Sequence, residues 1–129
     1  MISSGTHRIV VALAGCLGAC GVVLAAAAAH RPHAGILLSA SSMLLFHALA
    51  TLATIMLAER RIIRPTPGTV AAFGFILGAA LFASDLTVLQ LMGHRLFPMA
   101  APTGGSLMIA SWLVLVVAAL LPTGNSTHS

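Results

Sequence analysis

The chain has no lysine, no tyrosine, a single tryptophan and only two acidic residues, Glu59 and Asp85. Charged residues make up 6% of its 129 positions, against roughly 25% in soluble domains. So little charge cannot wet the surface of a globular protein this long, which excludes an ordinary soluble domain. The net charge of +4 comes wholly from arginine. It is too sparse for the dense basic patches that hold nucleic acid, so nucleic acid is excluded as a partner. Cys16 and Cys20 are too few for a disulfide framework. One helical turn apart, they are also badly placed to bond to each other and read as small core residues, with a soft-metal role the minor alternative. There is no serine–histidine–acid arrangement, no phosphate-cradling glycine loop and no paired carboxylates. Neither an enzyme nor a cofactor is therefore expected.

What is present is apolar. Hydrophobic residues reach 59% and the mean hydropathy is +1.07. Spans are predicted at residues 9–29, 36–57, 69–92 and 104–121, each near the ~20 residues that cross ~30 Å of hydrocarbon. The expected fold is all-α: one domain, residues 1–129, with four transmembrane helices in an antiparallel bundle. Residues 1–7 read as a short frayed lead, and the tail to Ser129 as polar. Leu13-Ala14-Gly15-Cys16 looks like a lipoprotein cleavage box, but the apolar run before it is short and the residues after it stay apolar. The alanines at 25–29 mimic a signal-peptidase site after a stretch too long for one, so a retained span is preferred. Arg8, Arg60, Arg61 and Arg64 fall on one side, Arg31 and Arg95 on the other. That excess puts both termini and the middle loop in the cytoplasm. His30-Arg31 and His94-Arg95 mark both outer turns as a weak pseudo-repeat.

Residues 74–85 organise the chain. Gly74, Gly78, Leu81 and Asp85 share one helix face. Glycines one turn apart admit a close neighbour, most simply within the monomer and alternatively in a homodimer, so the acid belongs on the packed side.

Several short motifs occur in order: Phe46-His47-Ala48-Leu49-Ala50, Leu81-Phe82-Ala83-Ser84-Asp85-Leu86, Gly93, Ala101-Pro102-Thr103-Gly104-Gly105 and Ser111-Trp112-Leu113. With residues 27–30 closing the first span, this set resembles the domain-of-unknown-function family 423, which includes YgdD-type inner-membrane proteins and the transmembrane protein 256 group. The chain departs from the family pattern at Asp85, where a small serine-like residue is usual. It departs again at Ser41-Ser42-Met43-Leu44-Leu45, which replaces an Arg-Tyr-containing run, and in a shortened His30–His47 interval. The resemblance implies a small polytopic membrane protein and supplies no reaction, substrate or cofactor.

Two ionisable groups lie inside spans. His47 is near the middle of the second, with Thr51 and Thr54 on its face. It reads as a neutral ring making interhelical hydrogen bonds, or as part of a relay or binding site. Asp85 counts to roughly 10 Å from the outer end and His47 to roughly 16 Å, with a bridging water the plausible link. Asp85 has two options. It is an acid bonded to Thr87, Gln90 or a carbonyl, or a carboxylate held ionised by Arg31 or Arg95 reaching down. Trp112 is expected to pack in the core, its indole N–H seeking a carbonyl or His47. Gly104 and Gly105 read as the start of the fourth helix, capped by Thr103. His30, His33 and His94, near Met92 and Met99, are weak metal or haem candidates, with helix-end capping the simpler account. The leading functional expectation is an accessory or assembly-type protein acting through its helix faces on a larger membrane complex or a second copy. The alternatives are a minimal proton- or cation-coupled transporter or channel using His47 and Asp85, and a haem- or metal-binding membrane component.

Overall fold

The computed structural model describes residues 3–124. Four helices fill it: α1 (Ser4–Ala29), α2 (Gly35–Glu59), α3 (Pro65–Met92) and α4 (Ala100–Leu120). No strand occurs among the described residues. All four helices are long and apolar enough to cross a bilayer. The 21 residues of α4 rise about 31 Å, close to the hydrocarbon thickness; the 28 of α3 rise about 42 Å and exceed it. The protein is a multi-pass, all-α membrane protein built as a four-helix bundle.

The helix ends correct several sequence expectations. Residues 3–7 are not frayed. α1 begins at Ser4 because Ser3 Oγ accepts the Thr6 N–H at 3.1 Å, which satisfies a donor otherwise orphaned at the helix start. Residues 1–2 and 125–129, which include the expected polar tail, lie outside the described residues. Residues 65–68, placed ahead of the third span by hydropathy, form the first turn of α3. Pro65 is the first helical residue, and Pro67 is also in the first turn, where no N–H is needed. α4 begins at Ala100, not Gly104. Thr103 is therefore inside the helix, its N–H bonded to the Met99 carbonyl at 2.9 Å, and is not the cap. α2 stops in a left-handed turn at Arg61 (φ 56°). There the Arg61 N–H bonds the Ala58 carbonyl and the Ile62 N–H bonds the Leu57 carbonyl, which satisfies two terminal acceptors.

The helices pack in chain order, α1 on α2, α2 on α3 and α3 on α4, and α1 also touches α3. α2 and α3 thus form the centre and α1 and α4 flank it. Small residues set the spacing, as they do wherever lipid supplies no hydrophobic drive between helices. A Cβ on Gly21 would meet the Leu45 side chain at 2.7 Å, and Ser41 Oγ donates to the Gly21 carbonyl at 2.7 Å. A Cβ on Gly78 would meet the Gly104 carbonyl and the Met108 nitrogen, each at 2.9 Å. A Cβ on Gly74 would collide with Ser111, and one on Gly104 would meet the Phe82 nitrogen at 2.7 Å. At the far end of α4, Arg64 ties the α2–α3 turn to that helix. Its backbone N–H reaches the Ala118 carbonyl at 2.9 Å and its guanidinium the Pro122 carbonyl at 2.7 Å.

This register positions the acid. With Gly104 beside Gly78 and Phe82, the start of α4 falls near the level of Asp85 on α3. α3 then runs about two turns, or ~10 Å, beyond that start. The α3–α4 loop leaves through Gly93 (φ 74°), whose N–H bonds the Leu89 carbonyl, and comes back down past Asp85.

Candidate functional site

His47 sits at the centre of α2 and is 6% exposed. Its Nδ1 lies 2.8 Å from the Met43 carbonyl, and its Nε2 lies 3.2 Å from the indole nitrogen of Trp112. A carbonyl only accepts and an indole N–H only donates. The ring therefore carries one proton, on Nδ1, and accepts at Nε2: a neutral imidazole with both nitrogens used. Phe75 of α3, fully buried, completes the group. The Phe75 and Trp112 centroids are 4.7 Å apart, those of His47 and Phe75 5.6 Å, and Trp112 meets His47 edge-on at 6.0 Å. Trp112 packs on Phe75, yet it is 44% exposed and forms the outer wall of the cluster instead of lying inside the core. The ring tip of His47 has no free lone pair for a metal or a substrate unless Trp112 moves away.

Thr51 and Thr54 are both buried on the His47 face. Thr51 Oγ1 donates to the His47 carbonyl at 2.6 Å, so it serves its own helix and not the ring.

Asp85 is fully buried, and its two oxygens have separate donors. Oδ2 accepts from the Arg95 guanidinium at 2.7 Å and Oδ1 from the Leu96 N–H at 2.9 Å. Of the options open in the sequence, Arg95 takes the acid. Arg31 lies exposed in the α1–α2 turn, and Thr87 donates to the Ala83 carbonyl instead; Gln90 is half-buried and makes no bond to the carboxylate. α3 overshoots the start of α4 by about two turns, and Asp85 lies level with that start. The acid pins the returning loop.

The structure does not bring His47 and Asp85 together. His47 is level with Phe75, ten residues before Asp85 on α3, or about 15 Å along the axis. His30, His33 and His94 do not converge either. His30 caps α1 with its backbone N–H, His33 sits exposed at φ 56°, and the Nδ1 of His94 faces the Arg95 carbonyl at 3.0 Å. Among the described residues no three of His, Cys, Asp or Glu gather closely enough to hold a metal ion. Cys16 and Cys20 are free and exposed, so they do not pack in the interior. Gly74, Gly78 and Gly104 line the α3–α4 contact, but a Cβ on Gly105 would meet nothing.

Three features escaped the sequence reading. Phe75 was overlooked although it sits on the buried face with Ala71, Ala72, Ile76 and Ala79. His7 falls on the buried stripe of α1, in step with Val10, Ala14, Leu17 and Gly21, and that spacing was the available signal. It contacts the Ile55 carbonyl and Glu59 of α2. The Arg64–Pro122 tie had no signal, since it joins residues far apart in the chain.

The family described as "Protein of unknown function (DUF423)" matches residues 15–105, well over half of the chain. That segment contains His47, Phe75, Asp85 and Arg95 and stops just inside α4. No curated protein and no solved structure matches the chain. This membrane-spanning four-helix chain belongs to the DUF423 family.

Proposed function

We propose that the protein is an accessory or assembly-type component of the inner membrane, with both termini in the cytoplasm, and that it works by docking its helix faces against a larger membrane complex or a second copy. On this reading it is not an enzyme. One observation carries the proposal: five buried polar side chains of the spans bond within the fold, while the flanking helices turn apolar faces outward. His47, Thr51, Ser41, Ser111 and Asp85 all have partners inside the molecule. Ile109, Leu113, Val116 and Leu120 on α4 are each more than half exposed, as are Val22 and Val23 on α1. Such faces offer van der Waals packing, the main currency of helix association in lipid. The arginine excess at the α2–α3 end supports the assignment of that end to the cytoplasm.

The test is purification of the full chain in mild detergent after crosslinking in native membranes. A partner or second copy at fixed stoichiometry is expected, lost when Leu113 and Val116 are both replaced by tryptophan. Recovery of the chain alone would overturn the proposal. So would ion flux in liposomes that Asp85→Asn abolishes.

A further inference from the structure

α1 and α3 both pack against α2, and a cleft of about 500 Å³ lies between them. Ligand sites typically enclose ~300–1,000 Å³. The walls run from Leu17 to Leu24 on α1 and from Ala80 to Val88 on α3, and Leu44 of α2 is the floor. The cleft is confined to one half of the membrane. His47 and Phe75 mark the middle of the bundle, and the cleft begins beyond them at Ala80. From there it runs about 12 Å to Val88. A lipid tail lies in one leaflet, about half of the ~30 Å of hydrocarbon, whereas a partner helix crosses all of it. The cleft matches the tail and is less than half as long as a crossing helix needs.

The lining is apolar except for Cys20 and, at one level, Ser84 and Thr87. Ser84 precedes Asp85, which is level with the start of α4, and α4 is about as long as the hydrocarbon is thick. Ser84 therefore sits near the hydrocarbon edge, where a glycerolipid carries its ester carbonyls. Thr87 donates to the Ala83 carbonyl, as helical hydroxyls commonly do. Ser84 is exposed, and its hydroxyl has no partner among the described residues, so it can donate to a carbonyl that enters the cleft. At the same end of the bundle, Arg31 follows α1 in an exposed turn. Arg95 is paired with Asp85, which leaves Arg31 as the arginine without a carboxylate there among the described residues.

We propose that this cleft binds one acyl chain of an anionic glycerophospholipid, with an ester carbonyl of the lipid accepting from Ser84 and its phosphate drawn to Arg31. A tail is as apolar outside the cleft as inside it, so lipid supplies no hydrophobic drive toward the site. The concave walls supply packing, and the hydroxyl and the guanidinium supply selection. The site does not depend on the docking proposed for α4.

The test uses the full chain in nanodiscs doped with phospholipid probes that carry a diazirine on one acyl chain, phosphatidylglycerol in one arm and phosphatidylcholine in the other. Adducts formed on illumination are mapped by peptide mass spectrometry. Labelling should concentrate on residues 17–24 and 80–88, several-fold stronger with the anionic probe. Cys20→Trp fills the cleft from an exposed position and should remove most of that labelling. Ser84→Ala should lower it several-fold, and Arg31→Gln should erase the difference between the two probes. Labelling spread evenly over the exposed helix faces overturns the site, and so does a Cys20→Trp protein labelled like the wild type. Chemical crosslinking of Cys20 in one copy to Cys20 in another also overturns it, because a second chain would then occupy the cleft. The wild-type map decides the question even where the tryptophan variant fails to insert. An anionic preference that survives Arg31→Gln overturns the role of Arg31.

Discussion

Among the described residues the indole N–H of Trp112 is the only donor that meets Nε2 of His47, and the only tryptophan in the chain supplies it. Trp112→Phe keeps a ring on Phe75 but removes that N–H. A double-mutant cycle with His47→Phe should give a coupling of about 0.6–1.7 kcal/mol, the range for interhelical bonds in lipid, measured by steric-trap unfolding in bicelles. A coupling indistinguishable from zero would mean that the contact is incidental. The buried acid predicts an asymmetry of a different kind. Arg95→Ala leaves a carboxylate buried with only the Leu96 N–H, whereas Asp85→Asn releases an arginine whose side chain is already 46% exposed. Uncompensated buried charge is the costlier outcome. Arg95→Ala should cost up to about 3 kcal/mol, near the foot of the buried-pair range because water takes part of the place of an exposed partner. Asp85→Asn should cost about 1–2 kcal/mol, the scale of one charge-assisted bond lost. The reverse order in unfolding measurements would count against a pinning role for Asp85.

Between elements, the α3–α4 contact rests on glycine, and the glycines there are not equivalent. A Cβ at Gly78 or Gly104 meets backbone atoms under 3.0 Å away, and backbone cannot rotate aside. Gly78→Ala and Gly104→Ala should each cost about 1–3 kcal/mol through overpacking. Gly105→Ala meets open space and should be neutral, or stabilising by up to ~1 kcal/mol through helix propensity. If all three variants unfold alike, the register described for α4 is wrong. The same contrast shows how far the sequence could be read. The face carrying Gly74, Gly78 and Asp85 was legible, because one-turn spacing survives any tilt of the helix. Hydropathy located all four spans for the same reason. Gly105 was not separable from Gly104, since neighbours on a helix differ by 100° and a motif does not say which one meets α3. The starts of α3 and α4 were misplaced because Pro65 and Pro102 look like breakers, although a first turn tolerates proline. The partner of Asp85 stayed open between Thr87, Gln90 or a carbonyl and the arginines Arg31 and Arg95, because the choice of Arg95 depends on a loop that returns past the carboxylate, and no local pattern encodes that return.

For the molecule as a whole, the six arginines divide by task. Arg64 holds the Pro122 carbonyl and Arg95 holds Asp85, so both are structural as well as charged. Arg8, Arg31, Arg60 and Arg61 are exposed, make no ion pair among the described residues, and are free to act on orientation. The two ends hold arginines in the ratio four to two, a small margin for a rule that works by charge difference across short loops. Arg60→Ala with Arg61→Gly would equalise the ends without touching either tie. Arg61 sits at φ 56°, where glycine is at least as comfortable, so the turn itself should be preserved. The double variant should insert in both orientations, whereas the wild type should insert in one. A cysteine placed at Thr123 in a cysteine-free background reports this by its accessibility to an impermeant reagent in intact cells. Labelling of the wild type would put its termini outside and reverse the proposed topology. Protection of the double variant to the same degree as the wild type would show that something other than the arginine excess orients the bundle.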